Sequence, residues 1–383
     1  MTALEDRVAD FLVRHPVATT PDRSLREARF DEGLAFPHFA VGHGGLGSSP
    51  SSAAVVEQLF LAAGAQDWSG RNVIGLGMAA PTIHQYGTPE QLSLLRPLFS
   101  GEEIWCQLFS EPDAGSDLAS VRTRASLDGS TWMVSGQKVW TTLGHVARRG
   151  LLLARSDPSL ARHRGLTYFL LDMRLPGVDV QPLRQITGEA EFNEVFLDEV
   201  RVPDSARLGG AGEGWRVAMT TLMNERVAIP AVADESGHDP IGRAVAAYRA
   251  ASGGSVAGAR RDQLMKLWSR SEVSRLNGLR AFAAASGGEP GPEGSVGKLE
   301  MAELNKAIFE FVVACRGPHG MLIDNYDMTR PDSAAVHGGA DDAKAFLRTR
   351  ANSIEGGTSE ILRNVLAERV LGLPKEPAPT TLM

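Results

Sequence analysis

Four short stretches of the 383-residue chain carry residue types that could do chemistry. Residues 108–125, LFSEPDAGSDLASVRTRA, bring Ser110, Gly115 and Ser116 into one tight turn after a strand. Hydroxyls and free backbone N–H groups gathered in this way form a nest that suits a phosphate or the polar edge of a ring. An ordinary Asp/Gly turn is the plainer reading of those residues alone. Residues 135–142, SGQKVWTT, set Trp140 beside Thr141 and Thr142 at a strand end. A flat cofactor could stack on that indole, with a hydroxyl at its edge; a half-buried strand tryptophan is the commoner case. Residues 351–372, ANSIEGGTSEILRNVLAERVLG, put Glu355 against Gly356 and Gly357 ahead of an amphipathic helix. This is either a plain helix entry or a place where backbone meets an anionic ligand near a carboxylate. Residues 218–230, AMTTLMNERVAIP, carry Glu225 and Arg226 on a helical pattern. Taken alone, that carboxylate is a solvated helix residue.

A fifth stretch is a decoy. GHGGLG, residues 42–47, matches G-x-G-x-x-G. A dinucleotide fingerprint needs a strand before it and a helix opening directly after it. FPHFAV precedes it and SSPSS follows, so the sequence predicts a surface loop.

These stretches need elements to position them. Apolar residues make up 43% and charged residues 22%, ordinary for a globular protein. A net charge of -7 disfavours nucleic acid as a partner. Cys106 and Cys315 form no disulfide or zinc pattern, the histidines show no metal-ligand spacing, and no metal is expected. No apolar run approaches the ~20 residues of a membrane helix, and the N-terminus mixes charge into its apolar pattern, so a cytoplasmic protein is expected. Helical periodicity dominates 1–100, as in SAAVVEQLFLAAGAQ and TPEQLSLLRPLFSG. Short β-rich runs fill 101–208, with Asp128-Gly129 as a hairpin signal. Helical periodicity returns over 209–383 in RDQLMKLWSRSEVSRLNGLRAF and GKLEMAELNKAIFEFVVACRG. Gly/Pro/Ser-rich stretches at 232–241 and 286–297, and a segment at 329–342, read as loops. The fold class is α+β, built as a helical domain, a β domain and a second helical domain.

The motifs, in their order, resemble the acyl-CoA dehydrogenase family. Its flavin-site signature pairs an E-P-x-A-G-S-D turn with a G-Q-K-x-W-[IT]-[TS] strand, and both stand here about 25 residues apart. FNEVFLDEVRVP resembles the family's exit from its β domain, and IEGGTSEILRNVLAERVLGLP its C-terminal signature. The resemblance runs from about residue 72 to the end; the first 40 residues and 232–260 match least. It implies a helical N-terminal domain, a central β-barrel domain, a C-terminal four-helix bundle and FAD as cofactor. Carried over by position, Ser110 and Ser116 would hydrogen-bond the flavin beside Gly115, and Trp140 and Thr142 would lie along the isoalloxazine. Gly357, Thr358 and Glu360 would sit near the adenosine diphosphate portion. Arg316, Gly317 and Gly320 would sit near the pyrophosphate, from a neighbouring subunit.

The reaction so implied is α,β-dehydrogenation of an acyl-CoA thioester. A desolvated carboxylate takes the α-proton while hydride leaves the β-carbon. Many family members carry that base in Y-E-G-T, and aligning on GTS puts its position at Gly356. A subset carries it on a helix as an E-R pair, which Glu225 and Arg226 match. Glu225 is the expected base, Arg226 its helper, and Glu355, one residue early, the second candidate. Leu222, Met223 and Ile229 are candidates for the acyl pocket or for core. One family motif, R-x-x-F-G early in the C-terminal bundle, is missing from IGRAVAAYRAASGGSVAGARRDQL, where Arg243 or Arg260 could substitute. The resemblance also implies a homodimer or homotetramer and an electron-transfer flavoprotein as redox partner. The missing motif opens a heteromer with a related subunit. A flavin oxidase or monooxygenase on the same fold, and a non-catalytic subunit, remain alternatives.

Overall fold

A computed structural model of the protein describes residues 3–68, 70–160, 162–235, 240–251, 257–285, 292–334 and 341–375; the side chains of 226–235, 257 and 282–285 also lie outside that description. The chain forms two compact units, Met1–Ser236 with Asp324–Ala335, and Gly237–Ile323 with Val336–Met383.

The first unit opens with helices α1 (Ala3–Arg14), α2 (Asp22–Asp31) and α3 (Ser52–Ala62). Their apolar faces bury Val8, Phe11, Leu25, Leu34, Val56 and Phe60 in one cluster. The Arg29 guanidinium lies 3.8 Å from the Phe60 ring centroid, so its planar cation is accommodated against an aromatic face. The glycine run 42–47 is a loop, as expected: no helix opens directly after it, and Gly44 and Gly45 are buried in it. A Cβ on Gly45 would meet the Phe39 carbonyl oxygen at 2.1 Å, so packing explains that glycine without any ligand.

Helices α4 (Ala80–Tyr86), α5 (Pro89–Leu92) and α6 (Leu95–Ser100) lead into the sheet. Thr88 caps α5 in a capping box with Gln91. The strands are β1 (Trp105–Leu108), β2 (Arg124–Asp128), β3 (Thr131–Thr142), β4 (Arg149–Arg155), β5 (Leu166–Asp172), β6 (Val178–Pro182) and β7 (Phe192–Pro203). They form one seven-stranded sheet in the order β1-β4-β2-β3-β7-β6, with β5 paired to β4. Trp132, Phe169, Val195, Val200 and Val202 share its core. The β2–β3 hairpin turns one residue later than its sequence signal: Asp128 pairs with Thr131, leaving Gly129 and Ser130 as the two-residue turn. Gly129 supplies the positive φ of 59° that the turn requires. Helix α7 (Gly214–Glu235) follows the sheet and packs on β5 and α4.

The second unit holds α8 (Pro240–Ala251), α9 (Ala257–Ala285), α10 (Glu293–Cys315), α11 (Asp342–Arg348) and α12 (Ser359–Val365). Helix α10 packs against both α8 and α9, burying Leu304, Ile308, Phe309 and Val312. Two expected loops are shorter than their composition indicated. Helix α7 runs through Glu235 and α10 begins at Glu293, just after Pro292. Proline at a helix entry sacrifices no intrahelical hydrogen bond, so a Pro/Gly-rich stretch can start a helix.

Candidate active site

The turn after β1 is fixed by its own backbone. Glu111 N–H donates to the Ala114 carbonyl at 2.9 Å, and Ala114 N–H donates back to Glu111 at 3.1 Å. Ser110 is half-buried, while Gly115 and Ser116 are exposed on the same loop. Nothing lies within 4 Å of where a Gly115 Cβ would stand, so this backbone is open to a ligand. The Ser110 carbonyl accepts from Val139 N–H at 2.9 Å, which ties the turn to β3.

On β3, the pairing with β7 shifts register between Lys138 and Thr141. Trp140 lies in that bulge with φ 62°, an outlier for a bulky side chain, and its side chain is 57% exposed. Its ring meets Phe192 edge-on at 5.8 Å. Among the described residues, the hydroxyls of Ser110, Ser116 and Thr142 have no hydrogen-bond partner, and the buried Thr141 hydroxyl has none either. Unused hydroxyls around an exposed, strained indole fit a planar polar ring such as a flavin.

Beneath this surface is a buried ion pair. Lys138 Nζ, with no exposure, donates to the Phe109 carbonyl at 2.9 Å, to Glu111 Oε1 at 2.8 Å and to the Leu153 carbonyl at 2.8 Å. Glu111 also accepts from the N–H groups of Arg122 at 2.6 Å and Thr123 at 2.9 Å. Burial pulls the Lys138 ammonium down to about 8 against the pull of Glu111. Burial pushes Glu111 up, but Lys138, Thr123 and Arg122 outweigh it and hold the carboxyl below its ordinary range. Three acceptors around Nζ and three donors around the carboxylate match an ammonium facing a carboxylate.

Glu225 lies on α7 and is 8% exposed, so it is not the solvated helix carboxylate that its sequence alone suggests. One turn earlier on the same helix, Thr221 joins a buried chain of hydroxyls. Its Oγ1 lies 3.0 Å from Tyr168 Oη and 3.1 Å from Thr82 Oγ1. Burial drives the Tyr168 phenol up, and the charge of Glu225 drives it further. Leu222 is half-buried and Met223 exposed; the side chains of Arg226 and Ile229 lie outside the described residues.

The second unit arranges the other expected residues. Gly356 and Gly357 have φ of 64° and 92°, the left-handed conformation that glycine adopts without strain. Thr358 caps α12, its hydroxyl accepting from Ile361 N–H at 3.2 Å. Glu360 is exposed and lies 3.5 Å from Arg363. Glu355 is held bidentately by Arg348, with two N–H···O distances of 3.0 Å, and accepts from Asn352 Nδ2 at 2.7 Å. Burial raises its pKa, but Arg348 and Asn352, with Lys298 adding its charge, bring it below the ordinary value. Lys298 Nζ donates to the carbonyls of Asn352 at 2.7 Å and Gly357 at 2.8 Å, fixing both ends of this loop.

At the end of α10, Arg316 and Arg243 share Asp342: Arg243 Nε lies 3.0 Å from Oδ1 and Arg316 Nη1 3.4 Å from Oδ2. A cavity of about 540 Å³ opens there, lined by alanines of α8 with Arg243, Arg316 and His319. Gly317 has φ 56°, and a Cβ on Gly320 would meet the Val313 carbonyl at 2.4 Å. Arg260 instead donates to the Ala314 carbonyl at 3.2 Å. Of the two candidates for the missing R-x-x-F-G arginine, Arg243 is the one beside Arg316.

Sequence reasoning did not single out Lys138, Glu111, Tyr168, Thr221, Lys298 and Arg348, which the structure buries in hydrogen bonds and ion pairs near the expected site residues. Only Lys138 left a signal: strand alternation from Trp132 and Val134 puts it on the buried face.

Comparison with known proteins agrees with the motifs. Residues 106–200 match the acyl-CoA dehydrogenase middle domain, and residues 212–371 match the acyl-CoA dehydrogenase C-terminal domain. The chain is 40% identical over 363 residues to acyl-CoA dehydrogenase FadE34 of Mycobacterium tuberculosis, which covers 94% of this chain but only 47% of that protein. It is 37% identical to acyl-CoA dehydrogenase IpdE1 of the same organism, covering 87% of this chain and 83% of the relative. The crystal structure of the ChsE4-ChsE5 complex from M. tuberculosis superposes with a TM-score of 0.72 at 25% identity, covering 97% and 96% of the two chains. The chain belongs to the acyl-CoA dehydrogenase family of flavoprotein oxidoreductases, and its fold is theirs. Among the described residues no helix is long and apolar enough to cross a membrane, and no group of His, Cys, Asp and Glu could hold a metal.

Proposed function

We propose that this chain dehydrogenates an acyl-CoA thioester to the trans-2-enoyl-CoA with FAD as its cofactor, and that Glu225 removes the α-proton. When bound, the flavin supplies the acceptor for the β-hydride. Ser110, Gly115 and Ser116 would hold its polar edge, and Trp140 and Thr142 would lie along its ring. Arg316, Gly317 and Gly320, with Gly357, Thr358 and Glu360, would serve the nucleotide end. Glu225 would hold the proton, with Arg226 as its expected helper. The observation that carries this assignment is the contrast between the carboxylates. Glu355 already has Arg348 and Asn352 on its oxygens and a pKa below the ordinary value, which suits an anchor rather than a base. Glu225 is buried on α7, one turn from Thr221 of the Tyr168–Thr221 pair, and a carboxylate held on a helix away from bulk water is the kind of group that serves as a general base.

The test is an anaerobic titration of the purified chain with a panel of acyl-CoAs, following the flavin band, with Glu225→Gln alongside. The reading expects bleaching of the wild type by some thioester and none by the variant. Equal bleaching of both would move the role to another group. An electron-transfer flavoprotein is the proposed oxidant of the reduced enzyme. Rapid turnover in air without it would favour the oxidase class instead.

A heteromer is the second reading of the assembly. This chain spans about half of FadE34, and the superposing structure is a complex of two named proteins. With R-x-x-F-G absent, a related second chain could complete the cofactor site. A chain that purifies yellow alone, with one flavin per protomer, would exclude that need; a colourless chain that gains flavin only with a partner would support it.

A further inference from the structure

We infer that the buried Lys138–Glu111 pair is a positioning device for the flavin face: it locks the Ser110–Ser116 turn to the strained Trp140 bulge, so that both present one preformed surface. The inference rests on the proposed flavin role of those residues.

The pair has a complete bonding pattern. All three ammonium protons of Lys138 are used, on Phe109, Glu111 and Leu153. Glu111 receives Lys138 and two backbone N–H groups from the entrance to β2. One salt bridge thus connects the loop after β1, the entrance to β2, and strands β3 and β4. It lies two residues before Trp140 and one after Ser110.

The bulge needs such a fixture. Trp140 and Leu143 both have positive φ, 62° and 56°, in a stretch of only four residues. Non-glycine residues hold that conformation only where surrounding structure over-determines it. Lys138 fixes the entry to the stretch. Asn193 of β7 fixes its exit, donating to the Thr141 carbonyl at 3.0 Å while Arg330 donates to Asn193 Oδ1 at 2.7 Å. The Val139 N–H···Ser110 bond then carries the same constraint into the turn. A cation in this position is an expensive way to stabilise a sheet, because a well-packed apolar pair is often as stable. What the pair adds is a fixed geometry between two loops.

The test replaces both charges together, Lys138→Met with Glu111→Gln, so that no buried charge is stranded. Three quantities are read on the full chain: thermal stability, dissociation constant for FAD added to flavin-stripped protein, and hydrogen exchange along the chain, including the amides of 110–117 and 139–142. The inference expects a folded variant, FAD affinity about tenfold or more weaker, and faster exchange confined to 139–142 and 110–117. A folded variant with unchanged FAD affinity overturns it, since a merely structural pair would lower stability alone. If the double variant does not fold, Glu111→Gln, which keeps a hydrogen-bonding side chain, is read in the same way. If the wild type takes up no FAD, the flavin reading fails, and exchange decides the clamp separately: unchanged protection at 139–142 would remove it too.

Discussion

Glu225 and Glu355 are the two carboxylates that the sequence offered as bases, and the structure gives them different surroundings. Glu225 lies buried on a long helix, one turn from Thr221, whose hydroxyl meets those of Tyr168 and Thr82. Glu355 is about a quarter exposed, yet a buried arginine, an asparagine and the charge of a buried lysine act on it. Proximity to solvent therefore does not decide which carboxylate can move a proton. A carboxylate in a bidentate pair loses that pair on protonation, which makes it a poor base and a good anchor. The loop that Glu355 anchors carries Gly356 and Gly357, so its ion pair holds the backbone there.

The sharpest way to break this comparison is to neutralise each glutamate in turn. Glu225→Gln is expected to slow substrate-driven bleaching of the flavin by about a thousandfold, within the range for loss of a general base, with little change in stability. Glu355→Gln is expected to keep most of that bleaching. Rapid-mixing absorbance of both variants, alongside denaturant unfolding, reads the two effects separately. A thousandfold loss in Glu355→Gln with an intact fold would reverse the roles.

The anchoring role has its own signature. Glu355→Leu removes the bidentate carboxylate from the buried Arg348 guanidinium, and unfolding of the second unit is expected to become easier by about 3 kcal/mol. The pH dependence follows from the direction of the shift. The folded pKa of Glu355 is lowered, so the unfolded chain binds the proton more readily below the ordinary value of 4.5. Its contribution is complete above that value and is lost as the pH falls through the lower folded one. Wild-type stability should thus fall more steeply below about pH 4.5 than that of Glu355→Leu. Parallel acid melts of the two proteins would contradict the pairing.

Much of this was legible in the sequence, and what was not has a common cause. The EPDAGSD turn, the GQKVWTT strand and the GGTSE entry are local signals, because turns, strand ends and caps are set by neighbours in the chain. The glycine pair adopts the left-handed backbone, at φ 64° and 92°, while its expected approach to a cofactor belongs to the proposed function. The fixtures beneath those motifs were not legible. Lys138 is read through Leu153 and Phe109, Lys298 through Asn352 and Gly357, and Tyr168 through Thr221; their partners lie 15 to 59 residues away. A lysine is by default an exposed residue, and only its tertiary acceptors make it a buried one. The hairpin failed on a finer point. Asp-Gly marks a turn, but cross-strand pairing up to Asp128↔Thr131 moved the turn to Gly129-Ser130.

The smallest effect tests whether the hydroxyls around Glu225 are passive. Tyr168→Phe removes one hydroxyl from the chain that links Thr82, Thr221 and Tyr168. Thr82 donates to the Met78 carbonyl at 2.7 Å, and Thr221 has the Val217 carbonyl at 3.2 Å as its own acceptor. The phenol and the Thr221 hydroxyl share a hydrogen bond in which either oxygen can donate. Its loss leaves the buried Thr221 hydroxyl short of one partner, which costs about 1 kcal/mol. Bleaching by acyl-CoA should slow by less than tenfold if the phenol only solvates the neighbourhood of Glu225. A loss approaching that of Glu225→Gln, in a protein that still binds flavin, would instead place Tyr168 in the path of the proton and divide the base's role between two residues.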